Sequence, residues 1–382
     1  MPSDALPSPL DDPSSGMLDC PPLRWGMLSC GRVVHDFCQA LKHLPSAQVI
    51  ACAARSKERA VEFASKHGIP KAYGSYEELV RDPEIDIVYV GNVHSFRRST
   101  GELCLNANKH VLLEKPIACT ADDTAYLIQL ARQKKLFLME GMWTRFFPVF
   151  EQARQLVAEG AIGEVSAVYS DFNFNASDSE EYPSSFVYQR KLGGGATLLT
   201  GPYPVAAATA FFSQPPSKIH AIGQVDDQVD LQVAVVAEFP STSTEPNRPK
   251  QPGCGVATLS FGMLCESREE TIVVGTQGRL TIGPPGHCPT HLRLERKVPG
   301  RGNQETVDFD YPLPEDTAEI VQAGGFVYPN SAGFCYEAAA VARCIAAGKT
   351  EVPQYTLAET LESMKILQEI RGQLGLKDVA DD

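Results

Sequence analysis

The sequence lacks the features that mark nucleic-acid-binding and membrane-spanning proteins. It has no run of basic residues, and 34 Lys and Arg against 47 Asp and Glu give a formal net charge of -13. A chain of this charge is not expected to bind nucleic acid or an anionic membrane surface. Its apolar stretches, such as residues 234–239, are far shorter than the roughly 20 residues that a membrane span requires. We therefore expect a small-molecule partner, and neither nucleic acid nor a membrane.

Cysteine is present, but without the spacing of a zinc site. The 11 cysteines include no C-x-x-C pair, and no secretory signal precedes them. This usage is typical of reduced thiols in the cytoplasm, so we expect no disulfide and no bound metal. Residues 1–17 lack arginine and are rich in Pro, Ser and Asp. That composition predicts a disordered tail over 1–22 and not a transit peptide.

The length of 382 residues predicts two domains, since about 150 residues is typical of one. From residue 23, short apolar runs alternate with amphipathic stretches. This alternation predicts an α/β domain over 23–148 with a doubly wound parallel sheet, because parallel strands need crossover helices. Helix starts are predicted where a capping residue precedes an acid, at Ser75 with Glu78 and at Thr120 with Asp123.

The pattern changes after about residue 150. Longer alternating runs then predict antiparallel strands with one covered face, at 165–175, 229–239, 255–264 and 270–282. A Pro/Ser/Thr-rich segment at 240–253 predicts a long hairpin loop, and two helical stretches close the chain. These features predict a second, α+β domain over 149–376, followed by a tail at 377–382.

The stretch GMLSCGRVV (26–34) follows the first predicted strand and opens a helix. This is where a dinucleotide pyrophosphate would meet helix N-terminal amides, so Cys30, Gly31, Arg32 and Val33 are candidate cofactor-binding residues. Against the pattern G-x-G-x-x-G, only the middle glycine is present, because Ser29 and Val34 occupy the outer positions. An ordinary strand-to-helix turn is the alternative.

The second strand ends at AARSKER, with Arg55, Lys57 and Arg59 where an acid would bind the ribose hydroxyls. A guanidinium can grip phosphate through two charge-assisted hydrogen bonds, whereas an acid would repel it. Arg55 and Arg59 therefore favour a 2'-phosphate and so NADP(H). A solvated basic helix start is the alternative.

Two residues are candidates for the chemistry. Glu114 and Lys115 in LLEKPIA lie at the carboxyl end of a strand, where open parallel sheets bind ligands. Tyr203, in GGGATLLTGPYPVA, carries a phenol that becomes an acid or base when a cation such as Lys115 stabilises the phenolate. The alternatives are a surface ion pair for Glu114 and Lys115 and simple packing for Tyr203.

Two further motifs follow predicted strands. Asn92 and His94 after the fourth strand could line the nicotinamide side of the crevice, or mark a capped helix start. Trp143 and Arg145 after the sixth strand are predicted on a crossing helix and are also candidate cofactor-binding residues. An aromatic-rich hinge between domains would explain this second pair equally well.

These motifs resemble, in order from about residue 23 to 376, the Gfo/Idh/MocA oxidoreductases. The resemblance rests on GMLSCGRVV, AARSKER, PKAYGSYEEL, LLEKP, FLMEGMWTRFFP, LGGGATLLTGPYPV and GFCYEAAAVARCIAAGK. The chain is most similar to the subgroup of dimeric dihydrodiol dehydrogenases and fungal NADP-dependent D-xylose dehydrogenases. The resemblance implies an N-terminal Rossmann domain and a C-terminal domain with an open, mostly antiparallel sheet that often forms a homodimer.

The resemblance also implies an activity, that of an NADP(H)-dependent oxidoreductase. Tyr203 would exchange the substrate hydroxyl proton, Lys115 would support it, Arg55 would bind the cofactor, and the nicotinamide would carry the hydride. The family usually has an aspartate four residues before the tyrosine, where this chain has Leu199. A more apolar pocket follows, which favours a hydrophobic or specialised metabolite over a free pentose.

Two other functions stay open at this point. The first is a nucleotide-binding regulator or pseudoenzyme, which the missing acid at position 199 favours and the presence of both Lys115 and Tyr203 opposes. The second is a redox-silent lyase or isomerase that uses the same two residues for elimination or isomerisation.

Overall fold

The structure is a computed structural model that describes residues 18–212, 214–241, 253–300 and 302–376. The predicted tail at 377–382 lies outside these ranges, as do most of the predicted tail at 1–22 and most of the proline-rich loop at 240–253. The chain forms two compact units. The first runs up to Phe147 and includes Pro312–Thr360, and the second contains Pro148–Tyr311 and the chain from Leu361. The division at residue 148 remains a prediction about domain boundaries.

A six-stranded parallel sheet is the centre of the first unit, in the order β3-β2-β1-β4-β5-β6. Its strands are β1 (Leu23–Leu28), β2 (Ala47–Ala53), β3 (Lys71–Tyr73), β4 (Ile87–Val90), β5 (His110–Glu114) and β6 (Leu138–Gly141). The helices between them are α1 (Arg32–Leu41), α2 (Lys57–His67), α3 (Tyr76–Val80), α4 (Arg97–Asn106) and α5 (Ala121–Lys134). The strand order reverses between β1 and β4, and such a switch point opens a ligand crevice at the carboxyl ends of the strands.

Two of the predicted helix starts are confirmed. The Ser75 hydroxyl accepts a hydrogen bond from the Glu78 amide at the start of α3, and Thr120 accepts one from the Asp123 amide at the start of α5. Each cap satisfies an amide that the helix itself leaves without a partner.

An eight-stranded, mostly antiparallel sheet is the centre of the second unit, in the order β14-β13-β12-β11-β7-β10-β9-β8. Its elements are α6 (Pro148–Ala158), β7 (Val165–Asn173), α7 (Ala196–Leu199), α8 (Pro202–Phe211), β8 (Lys218–Val225), β9 (Asp230–Ser241), β10 (Gly253–Gly262), β11 (Thr271–Gly275), β12 (Gly278–Ile282), β13 (His291–Lys297) and β14 (Gln304–Asp310). Strands β7 and β10 pair in parallel. The chain ends with α9 (Ala318–Gln322), α10 (Phe334–Ala346) and α11 (Leu357–Gln373).

The sequence prediction differs from this sheet in two respects. Residues 270–282, predicted as one run, form the hairpin of β11 and β12. The prediction also omitted β8, β13 and β14, because polar side chains interrupt their apolar alternation. In β13 and β14, cross-strand ion pairs such as Arg293 with Asp308 take the place of that alternation. Among the described helices, none has both the length and the apolar character needed to cross a bilayer.

Candidate functional site

The turn after β1 is open enough for a phosphate. Ser29, at the first glycine position of the motif, has a left-handed φ of 83° that glycine would adopt more readily. Gly31 precedes α1, and no side chain among the described residues caps this helix. A Cβ at residue 31 would approach only Ser29 Oγ, at 3.7 Å. The helix start therefore fits the pyrophosphate of a dinucleotide.

A second glycine compensates for Val34 at the third motif position. That position normally holds glycine because the helix must pack closely against the sheet. Here Val34 is fully buried, and a Cβ on Gly91, directly after β4, would lie 2.4 Å from its Cγ2. The motif glycine would normally provide this room on the helix. Here Gly91, at the end of the neighbouring strand, provides it instead.

The basic residues after β2 divide into two groups. Lys57 donates a hydrogen bond to the Ala72 carbonyl and lies over the Tyr73 ring, so it is directed toward β3. Arg55 and Arg59 are exposed, which leaves them accessible to a ligand phosphate.

Arg55 and Arg59 also lie close enough to the turn after β1 to act on its side chains. The half-buried Tyr76 side chain is hydrogen-bonded to Ser29, and burial raises the pKa of its hydroxyl while Arg55 and Arg59 oppose that rise. The pKa of Cys30 is lowered by a hydrogen bond with Cys52 and by Arg59. Arg32, at the start of α1, is exposed and Val33 is half-buried. The predicted residues of the two motifs therefore face a common region.

The segment after β4 holds Asn92 and His94, both buried. Asn92 Nδ2 donates to Thr100 Oγ1 at 2.8 Å, which links the strand end to α4. Asn92 Oδ1 is buried with no hydrogen-bond partner within the described part of the chain. A buried acceptor without a donor is costly, so this oxygen fits a ligand amide or hydroxyl.

Glu114 ends β5 and is held from two sides. Its Oε1 accepts from the Tyr89 hydroxyl at 2.7 Å, and its Oε2 accepts from the Lys115 amide at 3.1 Å. Glu114 is therefore part of a buried network next to Lys115, and the surface ion pair considered from the sequence does not describe it.

Lys115 is half-buried, and its pKa is lowered to about 8 by burial, although Glu114 and Glu140 oppose the change. The peptide bond between Lys115 and Pro116 is cis. Arg97 Nη1 donates to the Pro116 carbonyl at 2.8 Å, which fixes the backbone next to this lysine. A lysine whose pKa lies near neutrality can hold or exchange a proton at physiological pH.

Glu140 and Arg97 were not predicted. Glu140 lies in β6, is almost fully buried, and its Oε1 accepts from the Ile117 amide at 3.0 Å. Burial raises the pKa of Glu140 to about 7. Arg97 Nε also donates to the Asn92 carbonyl at 3.1 Å, so this one side chain joins the ends of β4 and β5. An acid inside the apolar run LMEG is the signal that could have identified Glu140.

Trp143 and Arg145 lie on a 3-10 turn, Trp143–Phe146, instead of the crossing helix that the sequence predicted. Trp143 stacks on Phe334 with ring centroids 4.2 Å apart. Arg145 is fully buried, and its Nη2 donates to Glu359 Oε1 at 3.2 Å. Both side chains thus contact other residues of the first unit, and their role toward a cofactor remains a prediction.

The glycine stretch before Tyr203 serves backbone packing. Gly195 has a φ of 105°, and a Cβ there would lie 2.3 Å from Asp230 Oδ1. The Asp230 carboxylate accepts from both the amide and the hydroxyl of Thr197, at 2.6 Å each. These contacts explain Gly195 without a ligand.

Tyr203 is the second residue of α8 and belongs to the second unit, whereas the other predicted site residues belong to the first. Its half-buried ring contacts Phe172 and His287, with centroids 5.2 and 5.4 Å away. The sequence prediction included neither of these aromatic partners, because they come from distant parts of the chain.

Comparison with known proteins agrees with this architecture. Residues 23–142 match the family model "Oxidoreductase family, NAD-binding Rossmann fold", and residues 150–281 match the Gfo/Idh/MocA C-terminal domain. The chain is 37% identical to the trans-1,2-dihydrobenzene-1,2-diol dehydrogenase of Danio rerio and 34% identical to that of Homo sapiens. Each alignment covers 93% of this chain and 97% of the relative.

Solved structures share the fold at lower identity. A levoglucosan dehydrogenase in complex with NADH and levoglucosan has a TM-score of 0.78 at 18% identity, covering 92% of this chain and 97% of that one. A 3-ketoreductase from Actinomadura kijaniata, in complex with NADP and TDP-benzene, has a TM-score of 0.72 at 23% identity, covering 92% and 98%.

The parallel sheet with its open turn after β1 and the two matched family models define an oxidoreductase with a dinucleotide-binding domain. The chain belongs to the Gfo/Idh/MocA family of NAD(P)-binding oxidoreductases. The predicted fold class, family and enzyme class are confirmed.

Proposed function

We propose that the protein transfers hydride between NADP(H) and a secondary alcohol or carbonyl group of a small molecule, with Lys115 and Tyr203 at the chemistry. The observation that carries this proposal is Lys115 at the carboxyl end of β5, with its pKa lowered to about 8 and its backbone fixed by Glu114 and Arg97. An ordinary surface lysine would have neither feature.

The roles follow from the groups themselves. When bound, the nicotinamide supplies the hydride chemistry. Tyr203 exchanges the proton of the substrate hydroxyl, and a positively charged Lys115 favours the phenolate form that accepts this proton. Gly31 and the α1 amides hold the pyrophosphate, and Asn92 with His94 lines the nicotinamide side.

The preference for NADP(H) is supported by the charge around the turn after β1. Arg55 and Arg59 are exposed beside Ser29 and Cys30, and the position normally held by a ribose-binding acid has no carboxylate. Two guanidinium groups would bind a 2'-phosphate and would gain nothing from the hydroxyl of NAD(H).

The substrate class is supported by Leu199 and by the relatives. Leucine at this position removes a carboxylate that could bind sugar hydroxyls, which favours an apolar alcohol. The curated relatives named above act, by their names, on trans-1,2-dihydrobenzene-1,2-diol. This compound is therefore the first substrate to test, with D-xylose as the polar comparison.

The test measures steady-state turnover of both compounds with NADP+, and NADPH formation is the signal that is monitored. We expect saturable oxidation of the dihydrodiol and at most weak oxidation of D-xylose. Saturable turnover of D-xylose at physiological concentration would contradict the substrate class. NADPH binding without turnover of any alcohol would favour the regulator, and product formation without net cofactor consumption would favour the lyase or isomerase.

We also propose a homodimer formed through the eight-stranded sheet. Tyr169, Thr258 and Val236 are neighbours on β7, β10 and β9, and the side chains of Tyr169 and Val236 are each 48% exposed. Ile222 on β8 is 76% exposed. An apolar patch of this kind on a sheet is typical of an interaction surface.

The cytoplasm remains the proposed location, since reduced thiols are stable there.

A further inference from the structure

Two rings contact Tyr203 in the second unit. Phe172 on β7 and His287, in the segment between β12 and β13, are stacked with centroids 4.3 Å apart and planes within 8°. The Tyr203 ring is tilted against both, at 54° to Phe172 and 59° to His287. The phenol proposed for proton exchange is thus in contact with an imidazole.

A carboxylate fixes the orientation of this imidazole. His287 Nδ1 donates to Glu269 Oε2 at 2.7 Å, and the two side chains are only 10% and 16% exposed. With Nδ1 engaged by the carboxylate, the ring cannot rotate about its own axis without losing a hydrogen bond.

The backbone around Glu269 is fixed as well. Its amide donates to Asp171 Oδ2 at 3.0 Å, and its carbonyl accepts from the Gly286 amide at 2.5 Å. Glu269 itself has a left-handed φ of 53°, which few non-glycine residues adopt. The carboxylate and the segment carrying His287 are therefore joined by both side-chain and backbone bonds.

Packing alone does not explain this pair. A ring that only fills space next to Phe172 and Tyr203 could be phenylalanine, and it would need no partly buried carboxylate. An imidazole oriented by an acid and packed against the Tyr203 ring restricts where that ring can lie, because turning the imidazole would break its hydrogen bond to Glu269. Leu199 removes the acid that the family usually has near the tyrosine, so this pair is an ionisable neighbour supplied by other elements.

We propose that His287, oriented by Glu269, is a positioning residue that holds the Tyr203 ring in the orientation for proton exchange with the substrate. This inference rests on the proposed function, because it assumes that Tyr203 performs that exchange. The hydrogen bond between His287 and Glu269, and not the aromatic contact alone, keeps Tyr203 in place.

The test compares Glu269→Leu with the conservative Glu269→Gln, whose amide oxygen still accepts from Nδ1. Oxidation of trans-1,2-dihydrobenzene-1,2-diol with NADP+ is measured in H2O and D2O. A misplaced proton acceptor slows chemistry by up to about 100-fold. We expect Glu269→Leu to lower kcat about 10-fold to 100-fold, with little change in KM and a larger solvent isotope effect. Glu269→Gln should stay within about 3-fold of the wild type.

His287→Phe is the second variant, since it keeps an aromatic ring and removes the hydrogen bonds of the imidazole to Glu269 and to Cys288 Sγ, which lies 3.3 Å from Nε2. We expect it to behave as Glu269→Leu does. The matched control is His291→Phe, because His291 Nδ1 also contacts an acid, Asp310 Oδ1 at 2.8 Å, on the exposed part of β13 and β14. Thermal midpoints identify variants that fail to fold. If His287→Phe is one of them, the comparison of Glu269→Leu with Glu269→Gln still tests the proposal.

The outcomes separate the two proposals. Wild-type kcat and isotope effect in both Glu269→Leu and His287→Phe would overturn the positioning role and leave the proposed function intact. An equal loss in Glu269→Leu and Glu269→Gln would overturn it too, because the acceptor would then not be what matters. Absence of turnover in the wild type, with NADPH still bound, would overturn the proposed function and this inference with it.

Discussion

The two units place their functional side chains in different ways. In the first unit, Asn92, Glu114 and Glu140 lie at or next to the ends of neighbouring parallel strands. Asn92 is held by Thr100 of α4, and the two acids by backbone amides of the turn after β5. In the second unit, Tyr203 is surrounded by Phe172 and His287, which come from distant segments. The proposed cofactor-binding residues thus come from short contiguous motifs, and the surroundings of Tyr203 come from tertiary packing. If the proposed roles hold, we expect substitutions near Tyr203 to change turnover while cofactor binding is kept.

The largest effect is expected for Lys115→Met. Under the proposed roles, in which the charged lysine supports proton exchange by Tyr203, kcat should fall by about 10²-fold to 10⁴-fold, and Tyr203→Phe should show a loss of similar size. NADPH affinity, measured by fluorescence titration, should be retained in Tyr203→Phe, since the proposal assigns this residue to proton exchange and not to cofactor binding. An active Lys115→Met variant that still binds NADPH would show that the roles are assigned wrongly.

Arg55→Ala should separate the two cofactors. Losing a charge-assisted hydrogen bond of about 1.5–3 kcal/mol should weaken NADPH binding about 10-fold to 100-fold and leave NADH binding nearly unchanged. Lys57→Ala is the matched control, because the Lys57 side chain is bonded to the Ala72 carbonyl. Equal effects of both variants on both cofactors would argue against recognition of a 2'-phosphate by Arg55.

The pH dependence of stability should reveal the desolvation of the Lys115 ammonium group. Its pKa in the folded protein is about 8, below the ordinary value of 10.5, so burial disfavours the charged form. Below pH 8 the lysine is charged in both the folded and unfolded states, and the folded state bears that cost. Between pH 8 and 10.5 only the unfolded state keeps the proton, so stability rises with pH.

Lys115→Met should therefore be more stable than the wild type at pH 7, by about 1–3 kcal/mol. The difference should shrink as the pH approaches 10.5. Urea unfolding at several pH values measures it, and a difference that is constant over this range would contradict the lowered pKa of Lys115.

Gly91→Ala tests the packing between β4 and α1. The added methyl group would lie 2.4 Å from Val34 Cγ2, and overpacking of this kind costs about 1–3 kcal/mol. Val34→Gly should rescue the variant by restoring the third motif glycine, so the double mutant should be more stable than the sum of the single changes predicts. Additive losses, measured by thermal unfolding, would show that the two positions do not compensate for each other.

The smallest effect on catalysis is expected for the sheet surface of the second unit. Val236→Lys with Tyr169→Lys should convert the proposed dimer to a monomer, because charged side chains would then face each other across the symmetry axis. Sedimentation velocity measures the change in mass, and NADPH affinity should stay the same. A wild-type protein that is monomeric at micromolar concentration would exclude this dimer.

The parts of the fold that repeat a local pattern could be predicted from the sequence. The parallel sheet, the caps at Ser75 and Thr120, and the site residues at strand ends all follow from contiguous stretches. The strands β8, β13 and β14 could not be predicted in this way, because exposed faces and cross-strand ion pairs such as Arg293 with Asp308 replace apolar alternation.

The neighbours of the candidate site residues were harder to predict from the sequence. From the sequence alone, Val34 is a departure from the glycine motif with no visible compensation. The compensating residue, Gly91, is identified only by the three-dimensional contact of α1 with the end of β4. His287 and Glu269 have no sequence motif. The fold brings His287, between β12 and β13, to Tyr203, and brings Glu269, just before β11, to His287. Tertiary contacts of this kind cannot be inferred from spacing alone.

The most direct test of the account is a fluorescence titration of the purified protein with NADPH and, in parallel, with NADH. We predict saturable binding of NADPH that is clearly tighter than binding of NADH, because the turn after β1 holds the pyrophosphate and Arg55 binds the 2'-phosphate. Tighter binding of NADH would contradict the assigned role of Arg55. Binding of neither dinucleotide would contradict the proposed NADP(H)-dependent reaction.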